Sequence, residues 1–217
     1  SNARIERVLN ERNWGLGDSQ TTLYGAVQTW QTLKDLAPPS DPTLSSIDTP
    51  YRRTPQLGVM SRSGNDRGLI WQLQGEFNRF TNADQDKVSG NRVHATGRIS
   101  RMFELGGLTL TPALSAQSVH YDLDQSLSNG SKSASRTIPT FSLDASMAFE
   151  RNVNLFDRDL IQTLEPRIQY VRTQYKDQSI LPLFDSAPRD FNQYAIYSEN
   201  AFTGVDRVSD ANQVTLG

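Results

Sequence analysis

Thr140-Phe141-Ser142-Leu143-Asp144-Ala145-Ser146-Met147-Ala148-Phe149-Glu150 decides the fold. Its odd positions are Phe, Leu, Ala, Met and Phe, and its even ones are mostly hydroxyls and carboxylates. Successive side chains of a β-strand point to opposite faces, so this segment has one apolar face and one polar face. The same alternation returns in Leu69, Trp71, Leu73 and Phe77 against Gln72, Gln74, Glu76 and Asn78. It returns again in Leu164, Pro166, Ile168 and Tyr170 against Glu165, Arg167 and Gln169.

Working outward, alternating segments run from Arg4 to Trp14, Thr21 to Leu33, Tyr51 to Arg62 and Arg67 to Phe80. They continue from Arg92 to Phe103, Leu108 to Tyr121, Arg136 to Arg151 and Leu160 to Tyr175, and a last one starts near Asn212. That makes eight strands and the beginning of a ninth. The connections alternate in length. Gly15 to Gln20, Ser63 to Asp66, Glu104 to Gly107 and Asn152 to Asp159 are short; Lys34 to Pro50, Thr81 to Asn91, Leu123 to Ser135 and Lys176 to Asp210 are long. Pro38, Pro39, Pro42 and Pro50 exclude a ladder from the first long connection.

With strands running up and down, every short turn falls at one end of the sheet and every long loop at the other. This asymmetry, with segments as long as the roughly 9 to 11 residues of a tilted membrane strand, is the pattern of a transmembrane up-and-down barrel. The expected fold is therefore all-β, an antiparallel meander of about eight to nine strands forming part of a large transmembrane β-barrel. Two other classes fit the alternation alone. One is a different outer-membrane barrel, a porin or an autotransporter translocator; the other is a soluble all-β module of sandwich type that binds carbohydrate.

Composition narrows the field. Apolar residues make up 36% of 217, below the roughly 45 to 50% of ordinary globular domains, which suits strands with a single apolar face. Acids and bases are interspersed at a net charge of −2, without the basic stripe that nucleic acid requires. There is no cysteine, so thiolate chemistry has no place in this stretch. Ser1-Asn2-Ala3 reads as an expression-tag remnant, and residues 4–217 as a partial barrel domain truncated at both ends.

No catalytic, metal or cofactor grouping emerges, and none is expected. His94 and His120 stand alone on their strands and read as residues facing water. Asp144 and Glu150 share a strand face, but six residues put them roughly 20 Å apart, too far for joint acid–base work. Arg98, Asp144, Glu150, Glu165 and Arg167 fall opposite the apolar rows, with hydration and cross-strand pairing as their expected role. In Thr21 to Leu33, Tyr24 and Trp30 share a face with Gln28, which fits either a membrane-boundary aromatic or simple packing. Pro166 removes a ladder donor and is expected to weaken pairing.

Gln162-Thr163-Leu164-Glu165-Pro166-Arg167, then Asp177-Gln178, Phe184-Asp185, Phe202-Thr203-Gly204-Val205-Asp206-Arg207 and Asn212-Gln213-Val214-Thr215 resemble the LptD family of lipopolysaccharide-assembly proteins. Tyr51-Arg52-Arg53-Thr54-Pro55-Gln56-Leu57 and Arg136-Thr137-Ile138-Pro139-Thr140-Phe141 resemble earlier parts of the same barrel. The resemblance implies a large outer-membrane barrel that passes lipopolysaccharide into the outer leaflet and is plugged by the lipoprotein LptE. A periplasmic jelly roll joins it to the Lpt bridge, and this chain corresponds to mid-barrel strands. The motif residues carried over are Glu165, Pro166, Arg167, Asp177, Gln178, Gly204, Asp206, Arg207 and Asn212, in structural, lumen or loop roles. The mixture of charge and aromatics in Lys176 to Asp210, including Phe191 and Tyr194, suggests a loop ordered into or over the lumen.

Overall fold

The computed structural model describes residues 2–11, 19–30, 49–63, 68–84, 86–155, 158–190, 192 and 195–217. The strands are β1 (Asn2–Glu11), β2 (Ser19–Gln28), β3 (Arg52–Ser63), β4 (Leu69–Thr81), β5 (Gly90–Arg101), β6 (Phe103–Leu105) and β7 (Leu108–Leu123). They continue as β8 (Ser133–Met147), β9 (Phe149–Leu155), β10 (Arg158–Leu164), β11 (Arg167–Thr173) and β12 (Ala211–Leu216). The main sheet is antiparallel in the order β1-β2-β3-β4-β5-β7-β8-β11-β12, with β6 beside β7. This is a meander, as the alternation implies; β5 and β6 lie one after the other beside β7, and β8 lies beside β11 while β9 and β10 pair with each other beyond them.

Gly106 and Gly107 close a two-residue hairpin between Leu105 and Leu108 with φ of 57° and 90°. Two consecutive left-handed residues are the requirement of the turn that matches strand twist, and glycine meets it without a Cβ penalty. Residues 12–18, 31–48 and 64–67, which carry most of three other expected connections, lie outside the described residues. So do Phe191 and Tyr194.

Register fixes the faces. Asn78 faces Arg92, Glu76 faces His94 and Leu73 faces Gly97 across β4 and β5, while Arg92 faces Tyr121 across β5 and β7. One face therefore collects Glu76, Asn78, Arg92, His94, Tyr121 and Arg136; we call it inner. The other collects Leu57, Leu73, Val93, Leu114, Phe141 and Ile168; we call it outer. A core of Phe80, Val119, Tyr121, Leu123, Leu181 and Phe184 lies on the inner face at the long-loop end. Phe184, from the long segment between β11 and β12, stacks on Phe80 with ring centroids 4.4 Å apart.

Two expectations need correction, and one open alternative is decided. His94 does not face water: it is 3% exposed, covered on the inner face, whereas His120 on the outer face is exposed. Of the two readings open for Tyr24, packing holds: it faces Gly58 on the inner side and donates its hydroxyl to Glu76. Asn152 to Asp159 is mostly strand rather than connection, since Asn152 pairs with Ile161 and Asn154 with Asp159. The tertiary pairing of β9 with β10 overrides the polar composition that reads as a loop.

Pro166 behaves as its chemistry demands. Met147 donates its N–H to the Pro166 carbonyl at 3.1 Å, but proline has no N–H to return, and the ladder breaks at Ala148 and Glu165-Pro166. Ser146 faces Arg167 above the break and Phe149 faces Leu164 below it, so the register passes through without a slip. Replacing Pro166 with Ala restores the missing donor, and amide exchange across Phe149–Leu164 should slow severalfold. Unchanged exchange would show that the interruption has another cause.

Candidate functional site

The segment between β11 and β12 folds back onto the inner face and is held there by charge. Asp206 is 0% exposed, and such a burial is tolerable only if the carboxylate is fully hydrogen-bonded. It is. Arg92 Nη1 donates to Oδ1 at 2.8 Å and the Tyr121 hydroxyl donates to the same oxygen at 2.7 Å. The backbone N–H groups of Phe184 and Asp185 donate to Oδ2 at 2.7 and 2.8 Å.

Asp185 receives the rest of Arg92. Nη1 and Nη2 donate to its two oxygens at 2.8 and 2.7 Å, the bidentate geometry that only a guanidinium offers. Arg53 from β3 adds a third donor at 2.9 Å. Burial by itself raises the Asp185 pKa, but hydrogen bonds from Arg92 and the charges of Arg92 and Arg53 outweigh it and hold the carboxyl at about 2. The Arg92 and Arg53 guanidiniums also lie 4.7 and 5.4 Å from the Phe80 ring centroid.

Arg136 on β8 is 1% exposed and binds through neutral groups. It donates to the carbonyls of Val205 at 2.5 Å and Asp206 at 3.3 Å, to Gln117 at 3.3 Å, and to the Gln178 side chain. Gln178 in turn accepts from the Val208 N–H at 3.1 Å and donates to the Val208 carbonyl at 2.8 Å. Arg207 caps the Leu181 carbonyl at 2.9 Å. Gly204, at φ 66°, leaves no room for a side chain, because a Cβ there would meet the Asp185 carbonyl oxygen at 2.5 Å.

A second attachment lies deeper. Glu199 accepts from Arg98 at 2.5 Å and from Ser142 at 2.6 Å. Arg98 is six residues along β5 from Arg92, roughly 20 Å down the inner face. Arg167 binds Asp144 through Nε at 2.9 Å and Nη2 at 2.6 Å, and its guanidinium lies 4.1 Å from the Tyr197 ring centroid. The segment therefore covers about half the height of the polar face.

Of the residues that the sequence singles out, Gln178, Gly204, Asp206 and Arg207 come together in the upper cluster, and Arg167 belongs to the deeper attachment. Asp177 is exposed, and the Ser179 backbone N–H bonded to it lowers its pKa. Glu165 and Pro166 are exposed at the ladder break. Asn212 lies on the outer face, where it accepts from the Tyr170 hydroxyl at 3.0 Å. Arg92, Tyr121 and Arg53, the basic and phenolic half of the cluster, were not singled out as partners of the loop. In the sequence they are an arginine and a tyrosine on strand faces, with no partner within reach along the chain.

Chemically the cluster is a clamp. Both Asp206 oxygens are saturated by donors, which leaves no lone pair for acid–base work, and no group of three or more His, Asp or Glu side chains gathers among the described residues. Removing one side of a buried pair strands the other, at about 3 to 5 kcal/mol. Asp206→Ala should thus release the segment, read as new protease cleavage between Gln174 and Asp210 with the strands intact. A sign follows for pH. Asp185 has a lowered folded pKa, so its contribution of about 2 kcal/mol is fully present above the unfolded value near 3.8 and is lost as pH falls toward about 2. Cleavage should rise across that window, and Asp185→Asn should remove this part of the acid dependence.

Comparison with known proteins gives the chain a family. The LptD family model, described as LPS transport system D, matches residues 6–217. The LPS-assembly protein LptD of Polaromonas sp. (strain JS666 / ATCC BAA-500) is 39% identical over 100% of this chain and 27% of its own length. That of Acidovorax sp. (strain JS42) is 40% identical over 94% of the chain and 24% of its length. That of Aromatoleum aromaticum is 44% identical over 80% of the chain and 22% of its length. The chain thus spans about a quarter of the curated relatives it matches. With the match running through nearly all of its residues, the chain belongs to the LptD family.

Proposed function

We propose that this chain forms wall of an outer-membrane β-barrel that inserts lipopolysaccharide into the outer leaflet, and that its docked segment fills part of the lumen. The observation that carries the reading is an inverted pattern of burial. Arg92, Arg136 and Glu76 are 1%, 1% and 8% exposed, while Leu57, Leu73 and Leu114 are 53%, 54% and 52% exposed. A protein in water does the reverse. A sandwich would lay a second sheet over those leucines, and among the described residues nothing covers them.

The outer apolar run on β4 extends from Leu69 to Phe77, roughly 27 Å along the strand. Tilted by about 40°, that is roughly 20 Å of height, close to the apolar band of about 25 Å in outer-membrane barrels. Arg79, Ser118, His120, Asp122 and Thr137 follow on the outer face toward the long loops. The strands therefore overshoot the lipid at that end, which supports placing the long loops at the cell surface.

The partners proposed with this function are lipopolysaccharide, membrane lipid, an LptE lipoprotein plug in the lumen, and the periplasmic Lpt bridge reached through a separate domain. Beside the docked segment's Glu199, the inner face at Arg62, Gln72, Gln74, Thr96, Arg98 and Ser115 is open enough to leave a cavity of about 290 Å³. That is a surface suited to a protein plug. A porin would use the same wall, but an inner face clamped under its own loop disfavours an open aqueous channel.

Spin labels at Leu143 and Asp144 in the membrane-embedded protein test the reading. Dissolved oxygen, concentrated in the bilayer, should relax the label at 143 more strongly than the one at 144. Equal relaxation would end it.

A further inference from the structure

The ribbon of β9 and β10 continues β8 and β11 past the hairpin end of β7. β7 begins at Leu108, opposite Met147, so β9 has no neighbour but β10 among the described residues. Seven residue pairs carry it roughly 23 Å beyond that point. It joins the sheet through the ladder break at Pro166.

Its charges are sorted by face. Phe149 pairs with Leu164, Arg151 with Gln162 and Val153 with Leu160, so these side chains share one face with Arg158 at the tip. Glu150, Asn152, Asn154 and Asp159 occupy the other. Both arginines therefore lie with the apolar row and both acids lie opposite. Because the register passes the break without a slip, the face bearing Phe149 continues the outer row of Phe141, Leu143 and Met147. Phe149, Leu160 and Leu164 are 51%, 45% and 66% exposed. Ile161, 68% exposed on the acidic face, is the one apolar residue out of place.

We infer that this ribbon anchors the wall to the lipid surface at the short-turn end. Its apolar row enters the edge of the acyl region, and Arg151 and Arg158 bind the phosphates of phospholipid headgroups. Interleaved aliphatic and basic side chains on one face, with acids turned away, complement an anionic lipid boundary in both hydrophobicity and charge. A guanidinium pairs with phosphate through two parallel N–H donors, which a lysine would not match. The face is also continuous with the apolar band of the wall, so this assignment rests on the membrane reading above.

The test reconstitutes the full-length protein into phosphatidylglycerol vesicles with brominated acyl chains. The fluorophore NBD is attached through Val153→Cys on the basic face, Asn152→Cys on the acidic face, or Leu114→Cys in mid-band. Quenching at 153 should exceed that at 152 severalfold, and Arg151→Gln with Arg158→Gln should abolish most of the difference. If 114 is quenched while 152 and 153 respond alike, the anchor is wrong and the wall stands. Shielding of 153 from both bromolipid and aqueous iodide would assign the ribbon to a protein partner instead and overturn the anchor. A difference that survives the double substitution would overturn the phosphate assignment. Failure of 114 to quench would overturn the wall, and the anchor with it.

Discussion

A strand whose side chains alternate strictly cannot hide both of its faces behind one layer of chain, and every other feature of this molecule follows from that constraint. The nine strands of the meander hold their faces in common, since an uncompensated slip of one residue would exchange them wholesale; the one-residue shift in β3 lies at Thr54-Pro55, near the strand end, and leaves Arg53 on the inner face beside Gln28 and Phe80. The outer face is left bare and apolar. The inner face is left polar, and only part of it is covered by the segment between β11 and β12. Such a wall is stable where one side meets something apolar and the other meets water or polar protein, which is the situation of a barrel in a membrane.

Covering a polar face is harder than covering an apolar one, and the clamp shows how it is done. Arg92 and Asp206 would each cost several kcal/mol if buried alone. Here Arg92 divides its donors between two carboxylates, and Asp206 divides its acceptors among a guanidinium, a phenol and two backbone amides. Arg136 has no carboxylate of its own and is solvated by carbonyls and side-chain amides. Phe184 and Leu181 then bring the apolar area that the ion pairs lack, against Phe80 and Leu123. Charge and hydrophobic contact are both present because neither alone would seal this half of the face.

Much of this was legible in the sequence because alternation and turn chemistry are local. The strands around Phe141, Leu73 and Ile168, the tight turn at Gly106-Gly107 and the break at Pro166 are each written within a few residues. Docking of the long segment was legible in outline, from its length and its mixture of charge and aromatics, and Asp206 and Arg207 were marked by resemblance. What stayed hidden is non-local. Arg92 meets Asp185 and Asp206 across 93 and 114 residues of chain, a separation that leaves no periodic trace. His94 illustrates the same limit: alternation places it on the polar face but cannot say that the face is covered there. The far end of the ribbon, Asn152 to Asp159, was read as a connection for the opposite reason, as its polar residues are held in register by the strand beside them.

The division of labour within the clamp also explains why buried ions are retained where an apolar plug would be simpler. Stacking of Phe184 on Phe80 is tolerant, since two rings can slide by an ångström and lose little. Asp206 is not tolerant, because its four donors come from β5, β7 and the segment itself, and only one placement satisfies them all. Gly204 adds a steric condition, as any side chain there would strike Asp185. The apolar contacts thus hold the segment down while the carboxylates set where it lies, as polar groups do when they fix a register. A loop so placed brings Glu199 and Tyr197 to Arg98 and Arg167 deep in the wall, so the geometry of the upper clamp determines how much of the inner face is left open below it.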